Sequence, residues 1–138
     1  MHFEHAGFNV PDPVAMAEWY VDNCDLRIVV ANDTAPFMQF VADVTGRIIF
    51  ELYANPKAPI PDYANQDPLV LHLAFAVDDM VATKARLLAV GATEVSDVTQ
   101  PNGTRLVMLR DPWGIALQLT SRGVPLGGVE KASKRKSD

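Results

Sequence analysis

Two histidines, a glutamate and a glutamine fall at matching positions in the two halves of this 138-residue chain. His5 opens the pattern His-x-x-Phe-x-Val-x-Asp, and the same pattern returns at His72, 67 residues later. Glu51 stands in Phe-Glu-Leu and Gln118 in Leu-Gln-Leu, again 67 residues apart. Imidazole nitrogens and carboxylate or amide oxygens bind divalent ions of the first transition row. The four side chains therefore predict a metal site, provided that the fold brings them together.

The segments around these side chains predict two copies of a βαβββ unit. In each copy a short alternating strand leads to an aspartate that can cap a helix, Asp12 and Asp79. Three further short strands follow each helix, and two separate features that share one offset indicate internal duplication. The predicted divisions are a first module over 1–53, a proline-rich extended linker over 54–68, a second module over 69–122 and a flexible basic tail over 123–138.

Strand alternation predicts where the four candidate ligands point. The Phe and Val of the repeated pattern form the face under the helices, which leaves His5 and His72 on the opposite face. Aliphatic neighbours on both sides of Glu51 and Gln118 turn these two away from the helices as well. A carboxylate that faces an apolar cavity is costly unless it is paired or bound to metal. We therefore expect an α+β fold in which the four groups line a curved cavity of mixed sheets.

Composition narrows the class of protein. Hydrophobic residues make up 49% and charged residues 21%, which is typical of a globular domain. A net charge of −5 disfavours nucleic acid as a partner, because phosphate binding needs a basic face. A lone cysteine, Cys24, excludes a disulfide framework. Without a long apolar run or a secretion-signal pattern at the N-terminus, we expect no membrane contact and a cytoplasmic location.

Three segments resemble the vicinal oxygen chelate superfamily, which comprises glyoxalase I, bleomycin-resistance proteins and extradiol dioxygenases. They are the His5 segment, the His72 segment and Arg110-Asp-Pro-Trp-Gly-Ile-Ala-Leu-Gln-Leu119, and the similarity covers roughly residues 3–121. The resemblance implies paired βαβββ modules around one divalent metal ion (Zn, Ni, Mn or Fe) and a homodimer, with the modules closing on each other or pairing across the dimer. By position, the implied ligands are His5, Glu51, His72 and Gln118.

Gln118 departs from the family pattern, in which glyoxalase-like members have a glutamate at this position. An amide oxygen can bind metal but cannot accept a proton at neutral pH. Glu51 is therefore the expected catalytic residue for proton transfer, with Gln118 as a weak fourth ligand. A divalent ion with one carboxylate keeps a net charge of about +1, which favours an anionic, oxygen-chelating ligand.

The resemblance implies a lactoylglutathione lyase-like metalloenzyme. Such a lyase or isomerase would act on a small oxygenated or thiol-conjugated metabolite through an enolate-like intermediate. The alternative is a non-catalytic protein that sequesters a small molecule, as drug-binding members of the family do. Four further residues are candidates for substrate binding: Tyr53, Trp113, Arg47 and Arg105. The alternative role is packing for the two aromatic residues and a solvated face for the two arginines.

Overall fold

The computed structural model describes residues 1–126, which form an α+β fold. Residues 127–138, most of the predicted basic tail, lie outside the described residues. No helix within residues 1–126 is long and apolar enough to cross a membrane. In chain order the elements are β1 (Ala6–Asn9), α1 (Pro13–Cys24), β2 (Arg27–Ala31), β3 (Gln39–Ala42), β4 (Ile48–Tyr53), β5 (Leu73–Ala76), α2 (Met80–Ala89), β6 (Thr93–Thr99), β7 (Arg105–Arg110) and β8 (Ala116–Ser121).

Each module contains the same four-stranded mixed sheet. The strand orders are β1-β4-β3-β2 and β5-β8-β7-β6. The first and last strands of each module are parallel neighbours, and the other pairs are antiparallel. Gly7 pairs with Glu51, and Ala74 pairs with Gln118. Since 74 − 7 and 118 − 51 both equal 67, the register confirms the duplication and the tandem modules predicted from the sequence.

Both helices begin at the predicted aspartates. The Asp12 carboxylate accepts a hydrogen bond from the amide of Ala15 at 3.0 Å, and that of Asp79 accepts from Ala82 at 2.9 Å. These bonds satisfy amides that lack a partner within the first turn of a helix. Each first strand therefore leads directly into its helix, which then covers one face of the sheet behind it.

One hydrophobic core is shared by the two modules. Phe50 of β4 and Leu117 of β8 are both buried in it, together with residues of α1 and α2. Because side chains alternate along a strand, the sheet faces that carry Glu51 and Gln118 point away from this core. The modules thus pack through their helix-covered faces and leave the faces with the candidate ligands on the outside.

Hydrogen bonds also join the modules, one of them buried and the other exposed. The Tyr20 hydroxyl of α1 donates to the Asp111 carboxylate at 2.7 Å, and the Trp19 indole donates to the carbonyl of Val90 at 3.0 Å. Burial is the main cause that raises the pKa of both Tyr20 and Asp111. The aspartate of the Asp-Pro-Trp-Gly turn is therefore part of the junction between the modules.

The proline-rich segment is attached to the first module. The Asn9 side chain donates to the carbonyls of Asn55 at 3.1 Å and Ala58 at 2.9 Å and accepts from the amide of Asn55 at 2.7 Å. Tyr63, only 7% exposed, donates its hydroxyl to the carbonyl of Asn9 at 2.9 Å. The segment predicted as an extended linker therefore contributes a side chain to the core, a role that its proline content does not indicate.

Cys24, the last residue of α1, is expected to react slowly with thiol reagents. Desolvation by burial is the main cause that raises the pKa of its thiol to about 12. Because the thiolate is the reactive form, modification near pH 8 should be on the order of 1,000-fold slower in the folded than in the unfolded protein. Stopped-flow measurements with and without denaturant test this. Equal rates in the two states would contradict the raised pKa of this partly buried thiol.

Candidate functional site

His5 and Glu51 lie side by side on the outward face of the first sheet. His5 directly precedes β1, and Glu51 lies in the parallel neighbour β4. Nε2 of His5 is 3.3 Å from Oε2 of Glu51, and the two side chains are 27% and 17% exposed. The Phe40 ring meets the imidazole edge-on, with 5.1 Å between the ring centroids. This packing holds the imidazole beside the carboxylate while both remain accessible.

Gly7 leaves room above the sheet for these groups. It lies directly opposite Glu51 in the β1–β4 register. A Cβ atom at Gly7 would lie 3.1 Å from Cε1 of Tyr53 and 3.6 Å from Oε2 of Glu51. The phenol of Tyr53 and the carboxylate of Glu51 therefore occupy space that a side chain would otherwise fill. The side chains of Tyr53 and Glu51 thus both lie above Gly7. The role of Tyr53 in substrate binding stays a prediction.

His72 and Gln118 hold the equivalent positions on the second sheet. His72 precedes β5, and its Nδ1 lies 2.8 Å from the carbonyl oxygen of Pro68. Gln118 lies opposite Ala74, and both His72 and Gln118 are partly exposed. The second module therefore presents one imidazole and one amide where the first presents an imidazole and a carboxylate.

Within the described part of the chain, His5, Glu51 and His72 do not come together around one point. Within residues 1–126, no three His, Cys, Asp or Glu side chains lie close enough to hold one metal ion. The reason is the shared core, because both sheets bury their opposite faces in it. The chain therefore presents two separate half-sites, the His5–Glu51 half-site and the His72–Gln118 half-site.

The His5–Glu51 half-site has the spacing of two donors on one metal ion. Metal–ligand bonds of about 2.0–2.2 Å at tetrahedral or octahedral angles place two donor atoms roughly 2.8–3.6 Å apart. The 3.3 Å between Nε2 of His5 and Oε2 of Glu51 lies within that range. Structural and catalytic zinc sites use three or four protein ligands, so the half-site needs further donors.

The three remaining predicted substrate contacts have other partners. Arg105 binds the Asp97 carboxylate through Nε at 2.9 Å and Nη2 at 2.7 Å. Trp113 packs against the hydrophobic core. Arg47 is exposed, and its guanidinium carbon lies 5.8 Å from the ring centroid of Phe3. The structure therefore gives Arg105 and Trp113 stabilising contacts, and it places Arg47 against a residue two positions before His5.

Sequence analysis missed two residues of the His5–Glu51 half-site. Glu4 Oε2 lies 2.8 Å from Nδ1 of His5, on the side of the ring away from Glu51. Phe40 faces the same imidazole because it pairs with Glu51 in the β3–β4 register. An acidic residue next to a histidine is the signal that points to Glu4, whereas Phe40 depends on a strand register that the sequence does not reveal.

The glyoxalase-like domain family matches the chain over residues 5–120, and the chain therefore belongs to that family. This membership confirms the resemblance to the vicinal oxygen chelate superfamily.

Solved structures of the same fold have diverse names. They include the antibiotic binding protein TnmS3 of Streptomyces sp. CB03234, with 21% identity, a TM-score of 0.66, and coverage of 88% of this chain and 96% of that chain. A glyoxalase-related enzyme of Fulvimarina pelagi has 17% identity, a TM-score of 0.68, and coverage of 93% and 94%. Lactoylglutathione lyase of Agrobacterium tumefaciens has 20% identity, a TM-score of 0.60, and coverage of 86% and 92%. Such low identities show the fold alone, and no curated protein matches the chain.

Proposed function

We propose that the protein is a homodimeric, metal-dependent enzyme with active sites shared between two chains. The observation that carries this proposal is the His5–Glu51 pair, 3.3 Å apart on an outward face, repeated as His72 and Gln118 on the equivalent face of the second module. Each half-site supplies two ligands. When the first module of one chain faces the second module of another, the two half-sites make one four-ligand site, and a symmetric dimer contains two of them.

Exposed apolar side chains on both outward faces support this pairing. Val30 pairs with Phe40, and Phe40 pairs with Glu51. Val30 therefore shares the face of the His5–Glu51 half-site, and its side chain is 45% exposed. Ser96 is in register with Met108 and Gln118, and Val98 lies two residues further along the same strand. Val98 therefore shares the face of Gln118, and its side chain is 53% exposed. Exposed apolar side chains at these positions suit a protein–protein or ligand contact. A second copy would cover both valines at once.

His5 and Glu51 of one chain, with His72 and Gln118 of a second copy, would hold one divalent ion such as Zn, Ni, Mn or Fe. When bound, this ion polarises substrate oxygens and makes neighbouring C–H groups more acidic. Two nitrogens and two oxygens suit most ions of the first transition row. A net charge of about +1 on the ion with its single carboxylate favours an anionic ligand that chelates through oxygen.

Glu51 is the one ligand of this set that can carry a proton, because the Gln118 amide cannot. Its carboxylate removes a proton from the carbon beside a substrate carbonyl and returns it to a neighbouring atom. This is lyase or isomerase chemistry on a small oxygenated or thiol-conjugated metabolite, through an enolate-like intermediate. The Tyr53 phenol, which lies with Glu51 above Gly7, donates a hydrogen bond that orients a substrate oxygen.

A non-catalytic small-molecule binding protein is the second candidate. Gln118 favours it, since the site lacks the second carboxylate that would share the proton transfer. The apolar surface around Val30 and Val98 favours it as well, because a cleft between two such faces binds a flat or apolar ligand without any chemistry.

Metal content distinguishes the two candidates. After loading with each candidate ion and removal of the excess, elemental analysis should find about one ion per chain in the wild type. Glu51→Gln should weaken binding by more than the roughly 10–100-fold that loss of an outer partner costs, since a ligand charge disappears. Glu18→Gln, the same change at an exposed position of α1, should bind as the wild type does. A wild type that stays free of metal under these conditions would favour the second candidate.

A further inference from the structure

Both candidate histidines have the same ring nitrogen engaged by an oxygen atom. Nδ1 of His5 lies 2.8 Å from Oε2 of Glu4, and Nδ1 of His72 lies 2.8 Å from the carbonyl oxygen of Pro68. The two halves of the duplicated chain thus make equivalent contacts with different groups. One partner is a charged side chain that is 72% exposed, and the other is a backbone carbonyl.

These contacts determine which nitrogen of each ring carries hydrogen. A carboxylate and a carbonyl oxygen only accept hydrogen bonds, so the two 2.8 Å contacts favour an N–H on Nδ1 of each neutral ring, while in His5 the Glu51 carboxylate is a second and more distant acceptor at Nε2. A neutral imidazole has a single N–H, and its other nitrogen then offers a lone pair. In both histidines that free nitrogen is Nε2, and in His5 it is the atom 3.3 Å from Glu51.

Glu4 and Glu51 compete for the one N–H of a neutral His5. The contact with Glu4 at 2.8 Å has hydrogen-bond geometry, whereas Glu51 approaches the other nitrogen at 3.3 Å. Without Glu4, the proton would move to Nε2 and hydrogen-bond Glu51. That tautomer blocks the nitrogen which the half-site needs as a ligand.

We propose that Glu4 is a positioning residue that holds His5 in the Nδ1–H tautomer and so keeps Nε2 free to bind a metal ion beside Glu51. The metal part of this inference rests on the proposed function, whereas the tautomer part concerns the metal-free protein. A carboxylate that accepts from the outer nitrogen of a ligating histidine fixes the ring and raises its basicity. The orientation of the His5 ring therefore depends on one exposed side chain.

The test compares Glu4→Ala and Glu4→Gln with the wild type by ¹H–¹⁵N NMR of the histidine rings, without metal and at a pH where the imidazoles are neutral. We expect the Nδ1–H form for His5 and His72 in the wild type. In Glu4→Ala, His5 should shift toward the Nε2–H form, while His72 stays unchanged and serves as the internal control. Glu4→Gln keeps a neutral acceptor, so its shift should be smaller. Because the Glu4 side chain is exposed, we expect both variants to fold as the wild type does, and thermal unfolding of each variant checks this.

Zn²⁺ titration calorimetry gives the second readout. Affinity should fall about tenfold in Glu4→Ala, as is usual when an outer partner of a ligating histidine is lost, with no change in the charge-matched control Glu18→Gln. An unaltered His5 tautomer in Glu4→Ala would overturn the inference, and so would an unaltered affinity in a protein that binds Zn²⁺. If the wild type binds no ion, the proposed function fails, and the NMR result alone then supports or overturns the role of Glu4.

Discussion

Heterodimers that combine a His5→Ala chain with a His72→Ala chain should regain the tight metal binding that each variant loses as a homodimer. The His72→Ala chain supplies an intact first module, and the His5→Ala chain supplies an intact second module. If each site is shared between two chains, one of the two sites in the heterodimer is complete and the other lacks both histidines. Two different affinity tags allow the heterodimer to be purified, and elemental analysis should then find about half of the wild-type metal content.

A matched heterodimer with the two substitutions in one chain should give the opposite result for metal content. A wild-type chain paired with a chain that carries both His5→Ala and His72→Ala has no complete shared site, so it should lose tight metal binding. If each site were instead formed within one chain, this heterodimer would keep half of the metal, and the combination of single variants would keep none. The two heterodimers carry the same total set of substitutions, so differences in stability do not account for opposite results. A chain that is monomeric when loaded with metal would also contradict the proposal.

Asp111→Ala should lower the free energy of unfolding by about 3–5 kcal/mol. The carboxylate is 3% exposed and accepts hydrogen bonds from the Tyr20 hydroxyl at 2.7 Å and from the amides of Trp113 at 3.0 Å and Ile115 at 2.9 Å. Its removal leaves buried donors without partners and loosens the β7–β8 turn that contacts α1 of the first module. Urea unfolding monitored by circular dichroism measures the change.

Two companion variants separate the parts of this effect. Tyr20→Phe removes one hydroxyl and one hydrogen bond, so we expect a loss of about 1–2 kcal/mol. Asp33→Ala removes a carboxylate from an exposed turn and should stay within about 0.5 kcal/mol of the wild type. A loss below about 1 kcal/mol in Asp111→Ala would show that the junction contributes little to stability.

Local patterns in the sequence determine much of the fold. The 67-residue offset predicts the duplication, and the β1–β4 and β5–β8 registers confirm it. Alternation around Glu51 predicts that it faces away from the helices, because neighbouring side chains on a strand point to opposite faces. Asp12 and Asp79 predict the helix starts, since a capping aspartate acts on amides only two or three residues away. All three signals depend on short-range geometry.

The sequence by itself therefore determines the modules, the faces of their strands and the chemical types that stand on each face. Tertiary structure alone decides that the helix-covered faces of both modules meet in one core and leave the half-sites apart. That choice depends on contacts such as Tyr20 with Asp111, which are 91 residues apart and have no periodic signal. The partners of Tyr63 are decided in the same way, because its hydroxyl donates to the carbonyl of Asn9 in the first module and its own carbonyl accepts from Arg110 in the second.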